Sequence, residues 1–203
     1  MKGNKGKVQI LGNYVLKEED VKKGGRYYNR GIKDINYFNF IKNNREYIIR
    51  IIVDDNKIYE GNNISEYIDI NDENIHIVQI IFKNTHNIIS YAGMFHKEYD
   101  NGLDNILSIK LINIDTTNSK YMEGMFSNCT SLSELNLGDK FNTQNVTNMG
   151  WMFYNCKSLS ELNLGDKFNT QNVTDMECMF YNCKSLSILN SSDNKLLNQF
   201  KNK

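Results

Sequence analysis

The sequence predicts an α/β repeat fold, in which short strand–turn–helix units stack into a solenoid behind a small α+β N-terminal cap. The first observation is a near-verbatim repeat: Met125–Trp151 is followed by Met152–Cys178, and a third copy begins at Met179. The second is that each copy joins a strand pattern to a helical pattern. Because each unit can bury its apolar side only against its neighbours, the repeat itself defines the core.

The strand of each unit is predicted by its leucine spacing. In the copy Cys156–Phe168, Leu159, Leu162 and Leu164 follow the order L-x-x-L-x-L. This spacing is typical of a short strand whose leucine side chains enter the core of a solenoid. A polar turn with the sequence FNTQNV follows, so the strand is expected to end near Phe168.

The helix of each unit is predicted by a capping box and an apolar stripe. Thr174 and Glu177 stand three residues apart, as the two side chains of a capping box do. Beyond them, apolar residues recur at helical spacing, namely Met176, Met179, Phe180 and Cys183. Each unit is therefore expected to consist of a strand, a turn and a short helix.

The repeat also extends upstream of its obvious copies. Ile114–Cys129 aligns without a gap to Phe141–Cys156, and Asn84–Phe95 matches Asn142–Phe153 in spacing. Helices are therefore predicted to begin near four asparagines, Asn87, Asn118, Asn145 and Asn172. We assign residues 75–190 to about four repeat units.

The two ends of the chain lack the repeat. Residues 1–74 are predicted to form the α+β cap module, which contains a short helix at Lys17–Lys23 and two strands within Glu46–Ile70 around the turn Asp54–Asn56. An independent domain is the alternative for this module. Residues 191–203 form a C-terminal tail or cap that is expected to lay Leu196, Leu197 and Phe200 over the last unit.

Composition and charge narrow the classes of partner. The chain has 203 residues, is 40% hydrophobic and carries no formal net charge, so it has no bulk attraction to nucleic acid or to a membrane. It has no apolar run long enough for a membrane span or a signal peptide, which makes the cytoplasm one expected location. Residues 1–33 are basic, with nine Lys or Arg against three acids. Such a stretch is more often a solvated surface than a nucleic-acid site.

The repeat motif resembles a known family. Its elements MFYNCKSLSELNL and FNTQNVTNM are similar to the repeat of the BspA-type leucine-rich-repeat family of bacterial surface proteins. The resemblance covers about Asn84–Asn190. It implies an irregular right-handed leucine-rich-repeat solenoid, a location on the cell surface, a role in adhesion or host-protein binding, and no enzyme activity.

The residue types that usually carry chemistry lack partners in the sequence. Cys129, Cys156 and Cys183 share one repeat position, so a row of buried thiols is expected, and no His partner stands at ligand spacing. The histidines stand ten residues apart and lie beside no nucleophile motif. Phosphate-loop motifs are absent from the sequence, and the Asp and Glu residues are scattered or lie in turns, so no acid/base pair can be nominated. We therefore expect no catalytic, cofactor-binding or metal site.

The outward residues of the predicted strands form the candidate binding face. These six residues are Glu134, Asn136, Glu161, Asn163, Ile188 and Asn190. Strands about 4.8 Å apart would align them in columns, in which Glu134 and Glu161 repel mildly. The face is either an ordinary solvated surface or a contact for another protein.

Two functions follow from this face. The first is a non-enzymatic protein-binding or adhesion module at the cell surface, as the resemblance implies. The alternative is an intracellular scaffold protein that uses the same repeat surface, which the missing signal peptide and the row of thiols favour.

Overall fold

β-Sheets and turns dominate the computed structural model, which describes residues 6–9, 45–55, 57–61, 67–70, 76–95 and 106–202. In chain order the strands are β1 (Gly6–Gln9), β2 (Ile48–Val53), β3 (Lys57–Glu60), β4 (Tyr67–Ile70), β5 (His76–Phe82), β6 (Ile106–Ile112), β7 (Glu134–Asn136), β8 (Glu161–Asn163) and β9 (Ile188–Asn190). Within these ranges one α-helix occurs, α1 (Asn194–Lys201), together with the 3₁₀ turns Arg45–Tyr47 and Thr85–Asn87.

The central sheet has five strands in the order β3-β2-β5-β6-β7. The pairs β2–β3 and β2–β5 are antiparallel, whereas β5–β6 and β6–β7 are parallel. The strands β1 and β4 form an antiparallel pair, and β8 and β9 form a parallel pair. The fold is therefore a mixed-sheet architecture, antiparallel towards its N-terminal side and parallel along the repeats.

The predicted turn Asp54–Asn56 lies between two strands, as expected. The strands β2 and β3 flank it and form an antiparallel hairpin. Asp54 and Asp55 have positive φ angles of 51° and 59°, which suits short polar residues. The predicted helix Lys17–Lys23 lies outside the described residues.

The predicted fold class is wrong. The described part of the chain is a sheet-dominated fold with one short helix, and not a leucine-rich-repeat solenoid of strand–turn–helix units. The segments that follow Asn118, Asn145 and Asn172 are turns and isolated bridges, and a 3₁₀ turn ends at Asn87. The N-terminal hairpin β2–β3 joins β5 and β6 in one sheet.

The repeats fail to form helices because their backbone groups bond to the neighbouring repeat. Met149 N–H donates to Asp175 O at 2.8 Å, and this bond joins adjacent units. The supposed capping residue Thr174 donates its hydroxyl to Thr147 O at 3.1 Å, so it caps no helix. Cys178 has a φ angle of 53°, in the left-handed region that ends a right-handed helix. The helix predicted from the capping-box spacing is therefore wrong, because that spacing carries no information about hydrogen bonds between repeats.

Equivalent residues of successive repeats stack directly on one another. The phenylalanine rings stack in parallel, with centroids 5.2–5.7 Å apart and planes within 7° of parallel, in the column Phe95, Phe126, Phe153 and Phe180. All four rings are at most 2% exposed. Stacked aromatic pairs add to the free energy gained by burying the rings, so this column fixes the register of the repeats.

Two polar columns reinforce the same register. In the first, Thr143 donates its hydroxyl to Asn169 O at 2.7 Å and accepts from Asn169 N–H at 2.8 Å. In the second, Asn155 Nδ2 donates to Asn128 Oδ1 at 3.0 Å, and Asn182 Nδ2 donates to Asn155 Oδ1. The three asparagines have φ angles of 61–63°, which asparagine tolerates better than most residues.

The helix α1 closes the inner side of the last repeat. Leu196 is fully buried, and the Phe200 ring meets the Phe180 ring edge-on with centroids 5.9 Å apart. Asp193 caps the helix by accepting from Leu196 N–H and also accepts from Thr170 Oγ1. In an earlier repeat, the equivalent Thr143 donates to the backbone of the following unit. In the last repeat, the Asp193 carboxylate takes the place of that backbone as the partner of Thr170.

The turn after β7 requires glycine. Gly138 has a φ angle of 77°, and a Cβ atom there would lie 2.7 Å from Leu111 O. Gly165 is the equivalent residue one repeat later, with a φ angle of 72°, but nothing lies within 4 Å of its Cβ position. The two glycines therefore share a backbone conformation and differ in their surroundings.

We predict that Gly138→Ala destabilises the protein more than Gly165→Ala does. Both variants should incur the cost of about 1–2 kcal/mol for placing alanine in the left-handed region. Only Gly138→Ala adds the clash with Leu111 O, which should cost about 1–3 kcal/mol more. Urea unfolding of both variants measures the difference, and equal losses would contradict the close contact of this turn with β6.

The cysteines provide a second prediction. Cys129, Cys156 and Cys183 are at most 2% exposed, and their thiols donate to Phe carbonyl groups of the preceding repeat at 2.9–3.3 Å. Cys178 is partly exposed and serves as an internal control. In the native protein we expect an alkylating reagent to modify Cys178 first, while all four react after denaturation. Mass spectrometry of the labelled peptides locates the modified residues, and native labelling of all four at one rate would refute the buried row.

Asp193 provides a third prediction, on the pH dependence of stability. Burial raises the pKa of this carboxyl group, but hydrogen bonds from Leu196, Thr170 and Lys195 outweigh burial and hold the pKa below its ordinary 3.8. Because the folded pKa is the lower one, this stabilisation is complete above pH 3.8 and disappears as the pH falls through the folded value.

We expect Asp193→Ala to lower the free energy of unfolding at neutral pH by about 1–2 kcal/mol, as the loss of a helix cap does. The gap between wild type and variant should narrow as the pH falls below 3.8. Urea unfolding at several pH values tests this expectation. A gap that is constant down to pH 2 would assign the loss to packing and not to the carboxylate.

Candidate protein-binding face

The outward side of the repeat strands carries the six predicted face residues. In β7 and β8, Leu135 and Leu162 point to the core, whereas Glu134, Asn136, Glu161 and Asn163 are exposed. In β9, Ile188 is 48% exposed and Asn190 is also exposed. The alternation of strand side chains therefore brings all six residues to one side of their strands. Whether they bind a partner stays a prediction.

The asparagines of this face also have structural roles. Asn136 Oδ1 accepts from Gly138 N–H at 2.9 Å, and Asn163 Oδ1 accepts from Gly165 N–H at 3.1 Å. These contacts shape the turns that follow β7 and β8, as asparagine side chains commonly do. Part of the hydrogen-bonding capacity that the sequence suggested for a partner is thus used inside the protein.

The glutamates differ in their surroundings. Glu161 Oε1 accepts from Asn190 Nδ2 at 2.9 Å, which holds its carboxylate across the β8–β9 pair. Glu134 lies opposite Ser108 in the β6–β7 register. Both carboxylates are exposed, so the face presents negative charge to solvent.

Strand pairing is interrupted between the two glutamates. Among the strands that the structure describes, β7 pairs with β6 and β8 pairs with β9, but β7 and β8 belong to different sheets. The interruption falls at the junction where Glu134 and Glu161 occupy equivalent repeat positions. Like charges directly opposite each other disfavour strand pairing by a few tenths of a kcal/mol, which is in line with this break.

The face continues onto the N-terminal part of the sheet, which sequence reasoning missed. The register aligns Ser108 and Lys110 of β6 with Ile77 and Gln79 of β5. Ile77 is 45% exposed, and Ile58 of β3 is 54% exposed. The sequence of β5 is a nearly continuous apolar run, so it did not indicate which of its side chains face solvent.

Ion pairs and polar contacts border this N-terminal extension. Arg50 Nε donates to Glu60 Oε1, and Gln79 Nε2 donates to Asp55 Oδ1 at 2.5 Å. An exposed Arg–Glu pair contributes little to stability but fixes where the two charges lie. The outer surface therefore changes from isoleucine with paired charges near β2 and β3 to glutamate and asparagine near β7 and β8.

Other residues singled out in the sequence lie only partly within the described ranges. No group of three or more His, Cys, Asp or Glu side chains in the described ranges could hold a metal ion. His86 is exposed in a turn, where its backbone carbonyl accepts from Asn118 Nδ2 at 2.9 Å. The basic cluster around Arg26–Arg30 and His96 lie outside the described residues.

A shallow depression lies at the ends of β6 and β7. Its volume is about 230 Å³, and its lining includes Lys110, Asn136, Gly138 and Lys140. Small-molecule sites usually measure about 300–1,000 Å³ and are largely apolar. This depression is smaller than such sites. Among the described residues, no helix has both the length and the apolar character needed to cross a membrane.

Comparison with known proteins corrects the predicted family. Residues 63–194 match the family model described as "Mycoplasma protein of unknown function, DUF285". The assignment to the BspA-type leucine-rich-repeat family is therefore wrong, because the shared motif letters belong here to a different family. No curated protein and no solved structure matches the chain. Since the match covers well over half of the sequence, the chain belongs to the DUF285 family.

Proposed function

We propose that this protein is a non-enzymatic binding module whose partner is another protein that docks on the outward strand face. The observation that carries the proposal is the exposure of Glu134, Glu161 and Ile188 on strands whose alternate residues are buried. Rigid strands present these side chains without the ordering cost that a flexible loop would add on binding.

The chemistry of the face favours a partner with basic and apolar side chains. The two carboxylates attract cations, and half-exposed Ile188 offers apolar contact beside Glu161. Towards the N-terminal side, Ile77 and Ile58 extend the apolar contact surface. A combination of apolar contact with a charged rim is typical of protein interfaces.

Adhesion and scaffolding would use this same surface. Adhesion at the cell surface requires export, whereas a scaffold acts inside the cell. Fractionation of cells that express the protein, with immunodetection in each fraction, distinguishes the two roles. Recovery in the surface fraction supports adhesion, and recovery in the cytoplasmic fraction supports a scaffold.

We predict that reversing the charge of the face abolishes binding while the fold persists. In the double variant Glu134→Lys/Glu161→Lys one like-charge pair replaces another, and the Glu161–Asn190 hydrogen bond is lost. The free energy of unfolding should therefore change by less than about 1 kcal/mol. Capture of a basic partner should fall strongly, because juxtaposed like charges cost several kcal/mol across an interface.

The measurement compares pull-downs by wild type and by variants, with thermal melts of each protein. Asp166→Lys is the matched control, because Asp166 is an exposed acid in the turn after β8 and not on a strand. Single Glu134→Lys and Glu161→Lys variants should each weaken capture more than the control does. Capture that is equal for the wild type and the folded double variant would exclude this face as the binding site.

A further inference from the structure

The last repeat carries a row of backbone N–H groups at its edge. In earlier repeats the equivalent N–H groups donate to carbonyl groups of the following unit. Between the last two repeats, four alternate N–H groups donate to carbonyl groups of the last repeat at 2.8–3.0 Å. The donors belong to Met149, Trp151, Phe153 and Asn155. The junction before it repeats the pattern at 2.8–2.9 Å, with Met122, Gly124, Phe126 and Asn128 as donors. These bonds are the common link between successive units along this wall.

The last repeat in the described residues has the same donors, and the segment that follows it there is α1 and not a further unit. Their equivalents are the N–H groups of Met176, Cys178, Phe180 and Asn182. In the part of the chain that the structure describes, none of these four N–H groups has a hydrogen-bond acceptor. Backbone donors left without a protein partner are a template for adding another chain.

The backbone of this edge is already arranged for binding. Cys178 and Asn182 have φ angles of 53° and 61°, close to the 55° and 63° of Trp151 and Asn155 one repeat earlier. The last unit therefore holds the conformation that binds a neighbour elsewhere in the chain, so an incoming unit would meet donors that need no reordering.

The helix α1 covers part of this end, where Met176 and Phe180 are buried, and leaves Cys178 and Asn182 partly exposed. Its contacts reach Phe180 through Phe200 and Thr170 through Asp193. Trp151 is 4% exposed and Asn155 is 7% exposed, whereas their equivalents Cys178 and Asn182 are both more exposed. The edge is thus reachable at these two positions.

Two side-chain columns also end at this edge. Tyr154 and Tyr181 stack with ring centroids 5.4 Å apart, and Tyr181 is 55% exposed. Asn182 is the last member of the asparagine column, in which each Nδ2 donates to the preceding Oδ1. A tyrosine followed by an asparagine would extend both columns by one member.

We propose that the wall Met176–Asn182 docks a different polypeptide that carries the same repeat unit, in the position of a fifth unit. The occupant must offer carbonyl oxygens at alternate residues along a turn-rich segment with positive φ angles, and this repeat does so at each internal junction. An extended β-strand has a different backbone path and would not match these donors. This site is separate from the outward strand face and does not depend on it.

A second copy of this chain is a poorer occupant because its own first unit is covered. Tyr91, Ala92 and Met94 in that unit are at most 1% exposed, so its leading edge is not available for docking. The partner therefore carries a repeat whose leading edge is uncovered. A Tyr-Asn pair at the matching position would complete the two outer columns.

Amide hydrogen exchange followed by NMR tests the edge directly. In the protein alone, we expect the amides of Cys178 and Asn182 to exchange faster than those of Trp151 and Asn155. A synthetic peptide with the sequence of residues 148–155 should slow exchange at Cys178 and Asn182 by at least about tenfold. Equal protection of both pairs without peptide, or unchanged exchange at millimolar peptide, overturns the proposal.

Variants at the two outer columns complete the test. Tyr181→Ala and Asn182→Gly should each weaken binding of the fluorescently labelled peptide by about tenfold, because each removes one column contact. Glycine accepts the positive φ angle of Asn182, but the variant loses the hydrogen bond from Asn182 Nδ2 to Asn155 Oδ1, so the melting temperature should fall slightly while the protein stays folded. A scrambled peptide is the control ligand, and equal binding of both peptides also overturns the proposal.

The double variant Glu134→Lys/Glu161→Lys separates this site from the strand face. It should bind the peptide as the wild type does, even where it loses its protein partner. Sedimentation of the protein alone tests for a second copy. Concentration-dependent association that is lost in Tyr181→Ala would assign the edge to self-association and contradict a different chain as the occupant.

Discussion

Hydrogen bonding between equivalent backbone segments of successive repeats is the constraint on which the rest of this structure depends. Along one wall, alternate N–H groups of each unit donate to carbonyls of the next at 2.7–3.0 Å. This spacing places Phe126 over Phe153, and it aligns the threonine and asparagine columns as well. A unit that lost its neighbour would lose backbone and core contacts together, so stability depends on adjacent pairs of units.

The same constraint decides how polar side chains are used. Asparagine and threonine are abundant in the repeats, and many of them bond to the neighbouring unit instead of to solvent. Asn145 Nδ2, for example, donates to Thr117 O at 2.7 Å. A composition rich in polar residues would suggest a broad binding surface, yet much of this polarity holds the units in register. The side chains left for a partner are mainly the carboxylates and isoleucines of the strand face.

The two ends of the repeat array are closed by different means. On the N-terminal side, β2 and β3 extend the sheet with antiparallel strands, so the parallel strands of the repeats continue into paired structure. On the C-terminal side, α1 covers only the inner part of the last unit, where Phe200 meets Phe180. The difference leaves backbone N–H groups without a neighbouring unit at the C-terminal end of the described repeats.

The sequence by itself determined the repeat period, the inward leucines, the buried cysteine row and the hairpin around Asp54, because each depends on local spacing of apolar and turn residues. It did not determine the fold class. The capping-box spacing of Thr174 and Glu177 predicts a helix, but the N–H groups of this region bond across repeats and Cys178 adopts a positive φ angle. The motif letters also suggested a different family from the one whose model matches residues 63–194.

The candidate site shows the same division. Alternation along β7 and β8 placed Glu134 and Glu161 on the outside, whereas the roles of Asn136 and Asn163 in the turns appeared only in three dimensions. The extension of the face to Ile77 and the unbonded donors of the last unit depend on which strands and units become neighbours. The sequence sets the pattern of residues within one unit. The tertiary structure decides which hydrogen-bonding groups pair with a neighbouring unit and which remain exposed.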